Sequence, residues 1–206
     1  MHFQMFKKRP GTTDKGKEYE NMAIANIVLQ MVADDKIDNF QISSNDNNFG
    51  AFDDVVVKIE SDLNVILKAM QLKHSTQKTL SSEHLKSAKG DFSLGKYFDS
   101  FQPLKNVAQE FIIFTNRSFG VKQDAKFQLQ GQKFYVRPVK VCSSPDHFAI
   151  SKNVNYIYKF EIVEDAWTTE HISEILDYHT FFSNLFLYTY KENFVSLTQS
   201  TIEKFR

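Results

Sequence analysis

The chain has 206 residues, and its 25 Lys and Arg residues balance its 25 Asp and Glu residues, so it carries no net charge at neutral pH. Its hydrophobic fraction of 42% and charged fraction of 24% are ordinary for a globular protein. The balance excludes a strong overall positive field that would draw the chain to nucleic acid and leaves only a local basic surface open for such binding.

The cysteine content and the lengths of the apolar runs indicate the cellular compartment in which the protein is expected. A single cysteine, Cys142, excludes an internal disulfide and fits a reducing environment. The first ten residues, MHFQMFKKRP, lack the apolar core of a signal peptide, and no run approaches the 18 apolar residues of a membrane-spanning helix. We therefore expect a cytoplasmic or nuclear protein that has no membrane partner.

The chain is predicted to begin with an arm that is followed by a helix. Residues 1–15 contain a cluster of basic residues and a Pro-Gly pair, which indicates a flexible arm. Residues 17–32 carry apolar side chains over a broad arc of the helical wheel, with Asn26 and Gln30 on a narrow polar side. This pattern predicts a largely buried helix. Residues 40–43, FQIS, then indicate a first strand.

Two adjacent strands follow and are joined by a short polar bend. The first covers residues 54–59, DVVVKI, and the second covers residues 64–73, NVILKAMQLK. Both are rich in the β-branched and apolar residues that strands favour. The preceding stretch, SNDNNFG at residues 44–50, has the composition of a turn-forming loop that leads directly into this pair.

The next segment completes the predicted core. Residues 94–104 place three aromatic residues and a leucine on one side of an amphipathic helix. Residues 110–116, EFIIFTN, are typical of a buried strand. The order helix, three strands, helix and strand predicts an α/β (α+β) fold over residues 16–116, with a mixed sheet flanked by helices.

Residues 117–206 are predicted to be an extension that packs on this core. Residues 127–129 and 133–141 alternate as strands around a tight Gln-Gly-Gln turn, and residues 155–163 indicate another strand. From residue 172 to residue 190, apolar and aromatic side chains recur at helical spacing, which predicts a long C-terminal helix. Its aromatic stripe either packs on the sheet or contacts a second subunit or a further domain.

The extension also carries five basic residues. They are Lys122, Lys126, Lys133, Arg137 and Lys140. Either they form an ordinary solvated face, or they border the sheet and hold nucleic-acid phosphates through salt-sensitive contacts.

Polar residues on the two central strands suggest a site. An acidic pair, Asp53 and Asp54, opens the first strand. On the second strand, Gln71 and Lys73 point to one face because side chains alternate along a strand. A carboxylate, an amide oxygen and an ammonium can therefore meet at one end of a small sheet.

One acid of the first helix is a further candidate. Glu20 falls within the apolar arc, where an ionised carboxylate is costly unless it is paired or near a metal. Alternatively it is a first-turn acid that stabilises the helix dipole. Glu18 lies near the opposite margin of the arc, so the helical wheel does not distinguish these two acids.

These residues resemble the motif of the PD-(D/E)XK nuclease superfamily, which has the restriction-endonuclease-like fold. In that family an acid heads one strand, and an acid or a glutamine stands two residues before a lysine on the next. Gly16 to Glu20 is similar to the Gly-x-x-aromatic-Glu pattern of Mrr-like branches. The Gln-x-Lys form departs from the commoner acidic residue and resembles defence and restriction effectors. The resemblance covers residues 16–116.

The resemblance implies a nuclease, or the nuclease module of a larger protein, that uses Mg²⁺ or Mn²⁺. Asp54 would be the essential anionic ligand and Gln71 a neutral oxygen ligand, with Asp53 in reserve. Glu20 would contribute directly or through water. Lys73 would orient the attacking water or stabilise the phosphate. The expected substrate is DNA, and RNA stays open as the alternative.

Two other interpretations stay open. In the first, the chain is a catalytically inactive domain of the same fold that binds nucleic acid or forms a homodimer or other assembly through its C-terminal helix. The neutral net charge and the aromatic stripe favour it. In the second, the chain is an unrelated α/β interaction protein in which the motif is accidental.

Overall fold

The computed structural model describes residues 14–61, 64–75, 77, 79–122, 125–141, 154–163 and 172–190. Within these ranges the helices are α1 (Asp14–Ala33), α2 (Ser82–Lys86), α3 (Leu94–Phe101) and α4 (Ile172–Asn184). The strands are β1 (Asn39–Ser44), β2 (Val55–Ser61), β3 (Asn64–Lys73), β4 (Thr79–Leu80), β5 (Glu110–Thr115), β6 (Ser118–Phe119), β7 (Phe127–Gln128), β8 (Tyr135–Val141), β9 (Val154–Val163) and β10 (Leu185–Tyr190). Short 3₁₀ segments cover Asn47–Phe52 and Gln102–Leu104. Residues 1–13 of the predicted arm lie outside the described residues.

Eight of these strands form one mixed sheet in the order β1-β2-β3-β5-β10-β9-β8-β7. Strands β3, β5 and β10 are parallel to one another, and the remaining neighbours are antiparallel. The short strands β4 and β6 pair separately. The predicted order of helix, three strands, helix and strand is confirmed, and so is the mixed α/β (α+β) class with strands added toward the C-terminus.

Helix α1 covers one face of the sheet. Its buried apolar side chains follow the spacing of one helical face, and they are Tyr19, Ala23, Ile27 and Met31. They pack with side chains of the central strands such as Val57, Met70 and Phe114. Between Tyr19 and Met31 only Asn21 is exposed, so the prediction of a largely buried helix is confirmed, and Val32 near the end of α1 is 71% exposed.

The polar side predicted for α1 is partly wrong. Asn26 is only 1% exposed, and its Oδ1 accepts a hydrogen bond of 2.6 Å from Gln30 Nε2. Position 26 lies three residues after Ala23 and next to Ile27, so it belongs to the covered face of the helix. The bond from Gln30 offsets part of the cost of removing this amide from water.

The opposite face of the sheet carries an aromatic core that α3 and α4 complete. The ring of Phe101 lies 5.3 Å from that of Phe111 on β5 and 5.2 Å from that of Phe181 on α4, between centroids. Phe98 of α3 stacks on Tyr178 of α4 at 3.6 Å. Aromatic rings bury large apolar areas, so these contacts join the two helices to the sheet. The aromatic stripe of α4 therefore packs within this chain.

The C-terminal helix is shorter than predicted. Helix α4 ends at Asn184, and the next six residues, LFLYTY, form β10 between β5 and β9. Leu185 and Leu187 join the aromatic core, whereas Phe186 and Tyr188 join the core under α1. A strand that is buried on both faces is apolar at nearly every position, and such a run also fits helical spacing.

A buried ion pair joins β3 to β5. Lys68 Nζ lies 2.7 Å from Oε2 of Glu110, its partner in the parallel register. The Lys68 side chain is fully buried, and the Glu110 side chain keeps 20% of its surface exposed. Removing one partner of such a pair is costly when the other charge stays buried, and the cost is smaller when the remaining partner can reach solvent.

We predict that the two partners tolerate substitution very differently. Glu110→Gln should lower the free energy of unfolding by about 3 kcal/mol, because the buried ammonium of Lys68 loses its carboxylate. Lys68→Met should cost about 1 kcal/mol or less, because Glu110 can turn to solvent. Urea unfolding followed by circular dichroism measures both, and a larger loss in Lys68→Met than in Glu110→Gln would contradict this account.

Candidate active site

The loop before β2 holds the acidic pair at the end of the sheet. The backbone N–H groups of Asn45 and Asp46 donate to the carbonyls of Asp54 and Asp53, at 3.2 and 2.9 Å. These bonds fold the loop back on the start of β2 and hold the backbone carbonyl groups of the acidic pair.

The 3₁₀ segment Asn47–Phe52 docks this loop on α3. Ala51 N donates to Ser100 Oγ at 3.0 Å. Gly50 has φ +58, and a Cβ at that position would lie 2.9 Å from Ser100 Oγ. Both the backbone conformation and the close approach to α3 favour glycine there. Helix α3 thus contributes to positioning the acidic pair.

Asp54 and Gln71 are in direct contact. The register of β2 and β3 pairs Val55 with Met70, which places Asp54 across from Gln71. Asp54 Oδ2 accepts hydrogen bonds from Gln71 Nε2 and, at 2.8 Å, from Leu72 N. Asp54 is 8% exposed and Gln71 is 4% exposed, so the carboxylate is held in a buried position.

Lys73 lies on the same face of the sheet as this pair. It follows Gln71 by two positions on β3, and side chains two apart on a strand share a face. Its side chain is 23% exposed, and its Nζ lies 3.9 Å from Asp91 Oδ1. Asp54, Gln71 and Lys73 are therefore brought to one face at the end of two neighbouring strands, as their spacing predicts.

Glu20 faces the same end of the sheet from α1. Burial raises the pKa of the Glu20 carboxyl group, and the negative charges of Asp54 and Asp53 raise this pKa further. The positive charges of Lys73 and Lys17 lower it. The Glu20 carboxyl group is therefore within the electrostatic range of Asp54 and Lys73. Asp53 is buried beside them, at 1% exposure.

Asp54 and Gln71 carry oxygen atoms of the kind that a divalent cation binds. Within the described ranges, no group of three or more His, Cys, Asp or Glu side chains is gathered closely enough to hold a metal ion. The donors in contact are a carboxylate of Asp54 and an amide of Gln71. Mg²⁺ takes oxygen ligands, commonly one or two carboxylates together with several waters, so the donor chemistry fits. Gln71 would have to turn its amide oxygen toward the ion.

Sequence reasoning missed two residues beside this site. Tyr97 of α3, counted only as part of an apolar stripe, is buried, and its Oη donates to the carbonyl of Asp91 at 2.7 Å. Burial and the charges of Asp54, Asp91 and Asp53 raise the pKa of Tyr97. The position of Asp91, directly before the predicted helix of residues 94–104, was the available signal.

Two of the five basic residues of the extension, Arg137 and Lys140, lie apart from this site. All five are exposed, and Arg137 pairs with Glu161 at 3.0 Å. Arg137 and Lys140 are three residues apart on β8, so they point to opposite faces of the strand. Strand β8 is four strand spacings from β3, roughly 19 Å at the usual spacing. The structure therefore places Arg137 and Lys140 away from Lys73 and on opposite faces of β8.

Comparisons with protein families, with curated proteins and with solved structures found no match to this chain. Across the described ranges, none of the helices combines the length and the apolar character that crossing a membrane requires.

The raised pKa of Glu20 predicts a pH-dependent gain in stability for Glu20→Gln. A carboxyl group whose pKa is higher in the folded protein than in the unfolded chain destabilises the fold once pH exceeds the ordinary value near 4.5. Glu20→Gln should therefore raise the Tm by at most a few degrees at pH 7–8, and the gain should vanish below pH 4. Thermal unfolding across this range tests it, and an equal gain at both ends would show that ionisation is not the cause.

Proposed function

We propose that this protein is a metal-dependent nuclease of the PD-(D/E)XK superfamily that hydrolyses phosphodiester bonds in DNA. The single observation that supports the proposal is the contact between Asp54 and Gln71, with Lys73 on the same face at the ends of adjacent strands. The residues that carry the resemblance in sequence are therefore neighbours in space. Their donor chemistry fits Mg²⁺ or Mn²⁺.

In this proposal the acidic and amide side chains hold the cation. Asp54 supplies the anionic ligand, and its bond from Leu72 N fixes the carboxylate on the rigid β3 backbone. Gln71 supplies a neutral oxygen, and Glu20 contributes a second carboxylate from α1, directly or through water. A bound divalent cation would lower the pKa of a coordinated water and offset negative charge on the phosphate.

Lys73 supplies the fixed positive charge of the proposed site. Its ammonium is partly exposed at the end of β3, where a phosphate can reach it. A preorganised cation stabilises the negative charge that develops on the phosphate during attack more than it stabilises the ground state. Lys73 also lies where it can orient the attacking water.

A second candidate function is a catalytically inactive domain of the same fold that binds nucleic acid. One observation favours it: Asp54 is buried and accepts two hydrogen bonds from β3, which is also what a structural carboxylate does. The neutral Gln71 further reduces the negative charge available to a cation. This alternative predicts binding without hydrolysis.

We predict that Asp54→Asn and Lys73→Met each reduce DNA cleavage by roughly 10²–10³-fold, because each removes one charge that acts on the phosphate. Asn at position 54 can still accept from Leu72 N, so the fold should persist. Cleavage of labelled single- and double-stranded DNA with Mg²⁺ or Mn²⁺ measures the effect.

The matched control is Lys58→Met, which removes a lysine of the neighbouring strand β2 that pairs with Glu60 at the surface. Exposed pairs contribute little to stability, so this variant should cleave as the wild type does. Full activity in Asp54→Asn would refute the assigned roles. If the wild type binds DNA but does not cleave it with either metal, the inactive alternative is the better description.

A second prediction concerns Gln71→Glu. Without metal, a second carboxylate beside buried Asp54 should lower the Tm through charge repulsion. With Mn²⁺, the variant should gain more in Tm than the wild type, because a ligand that binds only the folded state stabilises it in proportion to its affinity. Thermal unfolding with and without Mn²⁺ measures both effects. An equal Mn²⁺ response in Gln71→Glu, Asp54→Asn and the wild type would place metal binding elsewhere.

A further inference from the structure

Arg117 lies at the same end of the sheet as Lys73, two residues after β5 ends. The loop that carries it is fixed to the loop after β3: Ser75 N donates to Asn116 Oδ1, and Asn116 Nδ2 donates to the Ser75 carbonyl, both at 2.8 Å. Arg117 Nη2 donates to Ser75 Oγ at 2.9 Å. Strands β3 and β5 are parallel neighbours, and ligands of α/β proteins bind beyond the carboxyl ends of such strands.

The guanidinium of Arg117 is buried but retains donors for a ligand. The residue is 7% exposed, and its guanidinium carbon lies 4.8 Å from the centroid of the Phe92 ring. Among the described residues, Nε and Nη1 of Arg117 have no hydrogen-bond partner. Burial lowers the pKa of Arg117, and the charge of Asp91 opposes that effect. A guanidinium offers paired donors for a phosphate, and Nε and Nη1 of Arg117, which are shielded from solvent, become available to one when the side chains around them shift.

Arg117 opens into a surface cleft of about 520 Å³. Residues that line it include Ser75, His84, Lys89, Asp91, Phe92 and Arg117. The cleft borders the candidate active site, because Asp91 on its wall lies 3.9 Å from the Lys73 ammonium. It therefore lies next to Lys73, the residue proposed to stabilise the scissile phosphate.

Asp91 lines the same cleft as Arg117 and lies 3.9 Å from the Lys73 ammonium. Its side chain is 71% exposed, and its backbone carbonyl is held by Tyr97 Oη at 2.7 Å. Gly90 before it has φ +144, a conformation that other residues rarely adopt, so the turn itself is defined. The carboxylate is thus an exposed anion on a fixed turn, next to Lys73 and within the electrostatic range of Arg117.

We propose that this cleft is a subsite for a backbone phosphate of the nucleic acid next to the scissile one. Arg117 binds that phosphate, and Asp91 is the anion beside Lys73 that the phosphate displaces. The proposal rests on the proposed nuclease function and adds the residues that position the strand. Arg117 is a binding residue here and takes no part in bond cleavage.

The test measures binding in EDTA, so that it does not depend on cleavage. Fluorescence anisotropy of a fluorescein-labelled 12-mer, single- or double-stranded, gives the Kd of each variant at two salt concentrations. Arg117→Gln should weaken binding about tenfold, because a charge-assisted contact is lost, and should reduce the salt slope by about one. Asp91→Asn should tighten binding several-fold, because a competing anion is removed.

Two controls separate this outcome from misfolding and from a general charge effect. Lys105→Gln removes one positive charge at the opposite end of β5, where Lys105 pairs with Asp177 at 2.9 Å, and should change the Kd less than twofold. Circular dichroism reports whether Arg117→Gln folds. If that variant is unfolded, Asp91→Asn still tests the cleft, because Asp91 is exposed and its substitution should not affect folding. The same variants are titrated with AMP as a free phosphate monoester.

Opposite shifts in Arg117→Gln and Asp91→Asn support the subsite, and they do so even if the wild type fails to cleave DNA in Mg²⁺, which would refute only the nuclease function. No binding of DNA by the wild type, an unchanged Kd in Asp91→Asn, or an unchanged Kd in folded Arg117→Gln overturns the subsite. Variant effects that appear with AMP and not with DNA overturn it in favour of a mononucleotide site.

Discussion

The pairing register of β2 and β3 is the constraint on which the candidate site depends. Val55 opposite Met70 sets Asp54 opposite Gln71, and the bond from Leu72 N then fixes the carboxylate. A slip of one residue would send every side chain of β3 to the other face of the sheet. Such a slip is prevented because both faces are buried, one under α1 and the other under α3 and α4.

The charges at the site come from side chains at the ends of β2, β3 and β5, and the net charge of the chain does not reveal them. Lys73 and Arg117 reach the same sheet end from parallel strands, while Asp54 enters from the antiparallel neighbour β2. The chain as a whole is neutral, yet cations and carboxylates alternate within this small region. Local arrangement can therefore favour a phosphate and a cation side by side, where the net charge gives no sign of either.

Much of this arrangement follows from the sequence, because strand signals near the site are strong. The alternation of Gln71 and Lys73 on a β-branched run predicted both the bounds of β3 and the shared face. The sequence could not show that Lys68 on the same strand is fully buried, since that depends on the pairing with β5. Arg117 was missed because its role comes from the Ser75 loop, which is distant in the sequence. The final strand was read as helix because its continuous apolar run satisfies both periods.

The parallel pairing of β10 with β5 ties the C-terminal part into the interior of the fold. Although the motif residues all lie within residues 16–116, β5 is not an edge of the sheet, since β10 pairs with its second side and covers its backbone hydrogen-bonding groups. A fragment cut after residue 116 would expose a flat apolar edge, which is a template for aggregation. Expression of a minimal motif domain from this chain would therefore yield insoluble protein, and a usable truncation has to retain the last strand.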